Sequence, residues 1–111
     1  MTDVKHILAS GRPWVYSDGN CAHLLTEYHE DLSALATTID WPVMNAHMWK
    51  DTAEEPDRMR RRMAEFLVHD HLPLAALIGV ATGDEATCHA AQNILGTNFQ
   101  QPVVVMSDWY Y

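Results

Sequence analysis

The stretch Asp57–His71 reads Asp-Arg-Met-Arg-Arg-Arg-Met-Ala-Glu-Phe-Leu-Val-His-Asp-His and changes abruptly from a basic block into an apolar run. Glu65 lies at that junction. A carboxylate among apolar neighbours loses much of its hydration, so it needs a hydrogen-bond or ionic partner, or a role that compensates for the loss. Glu65 is therefore the first candidate for a functional residue.

Two secondary structures compete for this stretch. As a helix, it would gather its apolar residues on one face, with Glu65 as an ordinary ion-pair partner at the edge of that face. As a strand, it would place alternate residues on one side: Met63, Glu65, Leu67 and His69. We predict the strand, whose other side turns three apolar residues toward the core: Ala64, Phe66 and Val68.

The flanking sequence predicts short helices and strands in alternation. Capping residues and apolar spacing predict helices over Asp3–Ser10, from Asn20 through Tyr28, from Asp40 across Trp41–Trp49, and from Asp84 to Leu95 before Gly96. β-branched and aromatic residues predict strands over Pro13–Tyr16, Ile78–Ala81 and Pro102–Met106, and aromatic residues end the chain at Ser107–Tyr111. The expected fold class is α+β, with a small mixed β-sheet and flanking helices.

Length and composition indicate a small globular protein. The chain has 111 residues, of which 48% are hydrophobic and 20% are charged, as expected for one domain over 1–111 with a modest core. No stretch resembles a signal peptide, and no apolar run approaches the roughly 20 residues that cross a bilayer. We expect a cytoplasmic protein without a membrane partner.

Charge is unevenly distributed along the chain. The net charge of −8 argues against a broadly basic surface for nucleic acid, because phosphate binding depends on cationic side chains. Yet five of the seven Lys and Arg residues fall within Lys50–Arg62, which leaves room for a local basic strip. We predict that at least two of four arginines line the approach to Glu65 and hold phosphates: Arg58, Arg60, Arg61 and Arg62.

The cysteines and histidines give weaker signals. Cys21 and Cys88 belong to no CxxC pair, so free thiols are expected. His69 and His71 form a His-x-His pair, but no third ligand follows at a sequence spacing typical of metal sites, so no metal is expected.

The segment Arg60–Val68, Arg-Arg-Arg-Met-Ala-Glu-Phe-Leu-Val, resembles the DNA ADP-ribosyltransferase toxins of the DarT family. Further segments resemble the same family in the same order: Gly-Arg-Pro-Trp-Val-Tyr-Ser-Asp-Gly at 11–19, Asp-Trp at 40–41, Trp-Lys-Asp-Thr at 49–52, Pro-Asp-Arg at 56–58 and Pro-Val-Val-Val-Met-Ser-Asp-Trp-Tyr-Tyr at 102–111. Together they cover nearly the whole chain.

The resemblance implies transfer of ADP-ribose from NAD, as substrate, to thymine in single-stranded DNA, with Glu65 as the catalytic carboxylate and an antitoxin protein as a partner. Family members are longer, and their N-terminal half carries a His-centred NAD motif and an arginine important to the reaction. This chain resembles only the C-terminal part, so neither His6 nor Arg12 inherits those roles. The alternative is a truncated, non-catalytic remnant that binds DNA or protein.

The resemblance also implies substrate-binding residues. In the family, the interval before the catalytic glutamate is the substrate-recognition loop. Its side chains here are suited to stacking on or hydrogen-bonding a splayed-out base: Trp41, Asn45, His47 and Trp49. Packing is the competing role for each tryptophan. Three arginines complete the predicted substrate site: Arg58, Arg61 and Arg62.

Overall fold

The structure is a computed structural model, and it describes residues 1–109. Its helices are α1 (Val4–Ala9), α2 (Leu35–Thr38), α3 (Trp41–Met44), α4 (Arg58–Arg62) and α5 (Glu85–Leu95). Its strands are β1 (Trp14–Ser17), β2 (Tyr28–His29), β3 (Phe66–Val68), β4 (Val80–Thr82) and β5 (Val103–Val105). Short 3-10 turns lie at Leu32–Ala34, Leu74–Ala76 and Ser107–Trp109. The predicted aromatic ending at Tyr110 and Tyr111 lies outside the described residues.

The chain divides into two compact units. One combines Met1–Arg12 with the described residues from Asp70 onward, and the other is Pro13–His69. The α+β class is confirmed, but in place of one mixed sheet the described strands form a three-stranded antiparallel sheet and a two-stranded parallel sheet. The prediction of a single domain stays a prediction.

The unit Pro13–His69 is built on an antiparallel sheet in the order β2-β1-β3. The pairing of β1 with β3 sets Trp14 opposite Val68 and Tyr16 opposite Phe66. The Tyr16 ring is almost fully buried and is stacked with Phe66, at 6.5 Å between ring centroids, and with His29 at 5.2 Å. These aromatic contacts form part of the core of the unit, in which Ile39 and Val43 are also buried.

The strand prediction for the central stretch is confirmed over Phe66–Val68, whereas Met63–Glu65 and His69 lie outside the strand. Helix α4 ends at Arg62, and β3 begins at Phe66, so no helix continues through the apolar run. Phe66 and Val68 are half-buried, whereas Leu67 is exposed. The aromatic and β-branched side chains of β3 suit a half-buried sheet, and their alternation fixes which face is covered.

The helix predicted from Asn20 through Tyr28 is wrong. This segment forms turns that lead into β2. The side chain of Asn20 accepts from the Ala22 N–H at 2.9 Å, and that of Asp18 accepts from the Glu27 N–H at 2.9 Å. Such local bonds compete with helix formation, and the side chain of Leu24 at the expected apolar face is fully exposed.

The helix predicted across Trp41–Trp49 is too long. Asp40 does cap it, since its carboxylate accepts from the Val43 N–H at 3.1 Å. The helix ends at Met44, and the side-chain amide of Asn45 then donates to the Trp41 carbonyl at 2.9 Å. The Asn45 N–H also donates to that carbonyl, at 3.0 Å, and the Ala46 N–H then donates to the Val43 carbonyl only three residues back, at 3.2 Å, so the α-helical pattern stops here.

The other unit contains the parallel pair β4–β5, with Val80 opposite Val103, and the connecting helix α5. The Asp84 carboxylate caps α5 by accepting from the Thr87 N–H at 2.8 Å, and this bond lowers the pKa of that carboxyl. Gly96, with φ of +64°, ends α5. The prediction for this helix is confirmed. Among the residues described, no helix is long and apolar enough to span a membrane.

Candidate functional site around Glu65

Glu65 lies immediately before β3 and is exposed, on the same alternating face as Leu67 and His69. The expectation of a desolvated carboxylate is therefore wrong. Alternation along the strand turns the neighbouring Phe66 inward and leaves Glu65 on the open face. Its backbone continues the β1–β3 pairing, because its carbonyl accepts from the Ser17 N–H at 2.9 Å.

The turn after β1 orients the Glu65 carboxylate. The backbone N–H of Cys21 donates to Glu65 Oε2 at 3.3 Å. The Tyr28 hydroxyl donates to the Cys21 carbonyl at 2.8 Å. Desolvation raises the pKa of Tyr28, and the neighbouring Cys21 and Glu65 raise it further. Glu65 thus has a fixed backbone donor on one side and solvent on the other, as a carboxylate that receives a substrate requires.

Ser17 and Gly19 shape this turn. The fully buried Ser17 hydroxyl donates to the Gly19 carbonyl at 2.7 Å and accepts from the Glu65 N–H at 3.1 Å. A Cβ built on Gly19 would lie 2.4 Å from Arg60 Nη1 and 2.9 Å from the Arg60 carbonyl oxygen. The Asn20 N–H donates to that same carbonyl at 3.0 Å. Close approach to Arg60 thus requires a glycine here.

Gly19→Ala should destabilise the protein by about 1–3 kcal/mol, the usual range for an added methyl group in a packed site. The Arg60 side chain can move aside, but its carbonyl belongs to the backbone of α4 and can move only with the helix. Urea denaturation measures the loss of unfolding free energy. An unchanged midpoint would contradict the close contact between this turn and α4.

Every arginine of α4 has a protein partner. Arg60 pairs with Asp18 at 2.9 Å and with Asp57 at 2.8 Å. The other contacts are Arg58 to Glu55 and the Met48 carbonyl, Arg61 to Asp40 and Glu55, and Arg62 to the Met44 carbonyl. The phosphate-binding role predicted for this block stays a prediction.

The predicted base-contacting side chains lie in and after α3. Asn45 and His47 are exposed, Trp41 is 44% exposed and Trp49 is 38% exposed. The Trp41 indole N–H donates to the Ala36 carbonyl at 3.1 Å, which fixes the edge of that ring. Both tryptophans therefore offer surface to solvent, and their contact with bases stays a prediction.

A cavity of about 300 Å³ lies on the sheet of the same unit. It is lined by Pro13, Trp14, Val15, Glu30, Leu67, Val68 and His69. Leu67 and His69 share the alternating face of Glu65, whereas Trp14 and Val68 belong to the other face, and Glu65 itself does not line the cavity. No group of three His, Cys, Asp or Glu residues suited to holding a metal occurs among residues 1–109.

Sequence reasoning missed Ser17, Cys21 and Tyr28 as neighbours of Glu65. Cys21 contacts Glu65 through its backbone N–H, and Tyr28 acts by donating to the Cys21 carbonyl. These contacts form only because β1 pairs with β3, which brings Ser17 next to Glu65 across 48 positions of sequence. A residue's side-chain type does not reveal such a contact. The one local signal was the Ser-Asp-Gly turn at 17–19, which predicted a reversal after β1.

Comparison with known proteins identifies the class. The family model described as DarT, ssDNA thymidine ADP-ribosyltransferase, matches residues 1–111. A DNA ADP-ribosyl transferase of Escherichia coli O127:H6 is 26% identical over 112 residues, which cover 100% of this chain and 51% of that protein. One from Mycobacterium tuberculosis is 29% identical over 89 residues, covering 80% of this chain and 39% of the relative.

A solved structure agrees with these relatives. Thermus sp. 2.9 DarT in complex with ADP-ribosylated ssDNA superposes with a TM-score of 0.85 at 25% identity, covering 99% of this chain and 52% of the other. The chain belongs to the DarT family of ssDNA thymidine ADP-ribosyltransferases. The chain spans about half the length of the E. coli relative and less than half the length of the mycobacterial one.

Proposed function

We propose that this chain is the glutamate-bearing part of an enzyme that transfers ADP-ribose from NAD to thymine bases in single-stranded DNA. The observation that carries the proposal is Glu65, an exposed carboxylate at the head of β3 that the Cys21 N–H orients. The family match supports the reaction class. NAD serves as a substrate, so the protein is a transferase of the glycosyl type.

The reaction needs a carboxylate of this kind. The bond between the ribose anomeric carbon and nicotinamide breaks, and nicotinamide leaves with the bonding electrons. The ribose then carries positive charge, as a sugar does in glycoside cleavage. A new bond forms to a ring nitrogen of thymine, whose proton passes to a base that the rest of the enzyme supplies. Glu65 stabilises the positive charge, and its influence grows as substrates displace water from its open side.

The exposed aromatic surface supports single-stranded DNA as the acceptor. Trp41 and Trp49 present ring surface on which unpaired bases stack, and Asn45 and His47 supply hydrogen-bonding groups beside them. We extend the proposal to the cytoplasm, where NAD and DNA meet, and to an antitoxin protein that restrains the activity. Both extensions rest on the family resemblance.

The test is incorporation of labelled NAD into thymine-containing oligonucleotides. Because substrate positioning supplies a large part of the rate, the 111-residue chain alone should label DNA weakly or not at all. Joined to the N-terminal half of a DarT relative, the chain should label the oligonucleotide strongly. An oligonucleotide in which other bases replace every thymine should stay unlabelled. The N-terminal half by itself is the control.

The second candidate function is a non-catalytic binding module. It would be favoured by a joined protein that binds single-stranded DNA and transfers nothing. Strong labelling by the unjoined chain would instead show that this half suffices for the reaction.

A further inference from the structure

The residues Asp40–Trp49, here called the tryptophan segment, are attached to α4 by arginine side chains. We propose that Arg58, Arg61 and Arg62 are positioning residues that hold this segment, and that Arg58 and Arg61 are not ligands of phosphate. This inference rests on the proposed function, since it assigns the segment's tryptophans to the DNA. It replaces the phosphate-binding role that the clustered charge suggested.

The first attachment is at the start of the segment. Arg61 forms an ion pair with Asp40 and another with Glu55, the latter at 3.2 Å. The second carboxylate oxygen of Asp40 accepts from the Val43 N–H at 3.1 Å and so caps α3. The Asp40 carboxylate thus caps α3 and at the same time binds Arg61 of α4, so this ion pair joins the beginning of α3 to α4.

Two further attachments follow along the segment. Arg62 donates to the Met44 carbonyl at the last residue of α3, and Arg58 Nε donates to the Met48 carbonyl at 2.9 Å. Carbonyls at and beyond a helix end lack partners within the helix, and cationic donors satisfy them well. The three arginines therefore hold the start of α3, its end and the chain just before Trp49.

Arg58 and Arg61 have little charge left to offer a phosphate. The side chains of Arg58 and Arg61 are only 15% and 27% exposed. Two cations, Arg58 and Arg61, face two carboxylates, Asp40 and Glu55, so this group is neutral in sum. A phosphate would have to displace carboxylates that already occupy the guanidinium groups.

The attachment also couples the segment to Glu65. Helix α4 runs directly into the turn before β3, where the Met63 and Ala64 N–H groups donate to the carbonyls of Arg60 and Arg61 at 3.1 and 3.2 Å. The helix that holds the tryptophans thus also leads to the carboxylate. Small displacements of a bound group relative to a catalytic group lower rates strongly. This coupling would therefore fix the position of the DNA base relative to the Glu65 carboxylate.

The experiment is a double-mutant cycle on the 111-residue chain, read as affinity for a fluorescent thymine-containing oligonucleotide over a range of salt concentrations. The variants are Arg61→Gln, Asp40→Asn and the two combined. Asparagine keeps the cap of α3 while removing the charge. We expect each single change to weaken binding by roughly 3- to 10-fold, and the combination to weaken it no further, because both remove the same link.

Salt dependence separates positioning from phosphate binding. If Arg61 only positions the segment, Arg61→Gln leaves the slope of log affinity against log salt unchanged. A direct contact to one phosphate would reduce that slope by about 0.7. Asp40→Asn would then free Arg61 and strengthen binding, which would overturn the inference.

Two control variants sharpen the result. Arg61→Lys keeps the charge but loses the planar fork that reaches two carboxylates, so it should resemble Arg61→Gln. Restored affinity in Arg61→Lys would favour a phosphate contact and contradict the inference. Lys5→Gln removes an equal charge from an exposed position in the other unit and should leave affinity unchanged.

A second measurement needs no DNA. In chain labelled with fluorotryptophan, the NMR signals of Trp41 and Trp49 should shift or broaden in Arg61→Gln and Asp40→Asn, while the Trp14 signal reports an intact sheet. Unchanged Trp41 and Trp49 signals would overturn the positioning role. If neither the unaltered chain nor the protein joined to a DarT N-terminal half binds DNA, the proposed function fails, and these signals still decide the inference.

Discussion

Glu65→Gln should lower ADP-ribose transfer by roughly 100- to 1000-fold in the protein joined to a DarT N-terminal half, because one charge that stabilises the transition state is lost. The amide oxygen of glutamine can still accept from the Cys21 N–H, so the turn after β1 should keep its geometry. The measurement is the rate of labelling of a thymine-containing oligonucleotide at saturating NAD. Affinity for the oligonucleotide should change little.

Glu54→Gln is the matched control for this variant. It makes the same chemical change at another exposed glutamate, in the loop before α4. That variant should keep the full rate, which would separate the role of the Glu65 carboxylate from a general effect of net charge. Undiminished labelling by Glu65→Gln would remove Glu65 from the mechanism.

The elements that sequence predicted well are those whose signals are local and agree. Helix α5 has an Asp84 cap at one end and Gly96 at the other, so both boundaries follow from the sequence. Strand β3 was predicted from the alternation of Phe66 and Val68 with their neighbours at 65, 67 and 69, and the half-buried and exposed positions reproduce that alternation. Each of these signals extends over a few residues and needs no distant partner.

The segment from Asn20 to Tyr28 shows where local signals mislead. Its leucines have helical spacing, but helix formation needs an apolar face that finds a covering surface, and Leu24 has none among the described residues. Polar side chains instead bond to nearby backbone, and Tyr28 joins the sheet beside β1. Competition of that kind is decided by tertiary structure.

The candidate site was only half predictable for the same reason. Glu65 stands out by its type and its apolar neighbours, whereas its partners come from the distant turn after β1. The arginine block stood out as a cluster of charge, but Asp18, Asp40 and Glu55 neutralise much of it from elsewhere in the chain. Sequence shows where charges are; only the fold shows which of them are paired.

Arg60→Met should destabilise the protein strongly, because the Arg60 side chain is only 11% exposed and ties α4 to the turn after β1. Removing one partner of a buried ion pair typically costs about 3–5 kcal/mol. Asp18 and Asp57 retain contact with water, which places the expected loss near the lower end of that range. Urea denaturation at neutral pH measures it.

Arg12→Met is the comparison for this loss. It removes an arginine whose ion pair with Asp70 is long, at 3.8 Å, and more exposed, and whose other side-chain contact is with the exposed ring of His71. Such surface pairs contribute about 0–1 kcal/mol. A loss in Arg60→Met no larger than that in Arg12→Met would contradict the role of Arg60 as the link beneath the turn.

The pH dependence tests the same ion pair. The hydrogen bond from Arg60 holds the pKa of the Asp57 carboxyl below its ordinary value of 3.8. A carboxyl whose pKa is lowered by folding stabilises the folded state above the ordinary value, and that contribution is lost as pH falls through the lowered one. The difference in unfolding free energy between the unaltered protein and Arg60→Met should therefore shrink as pH falls below 3.8. A difference that stays constant through this range would show that Arg60 stabilises the fold by packing, without the charge of Asp57.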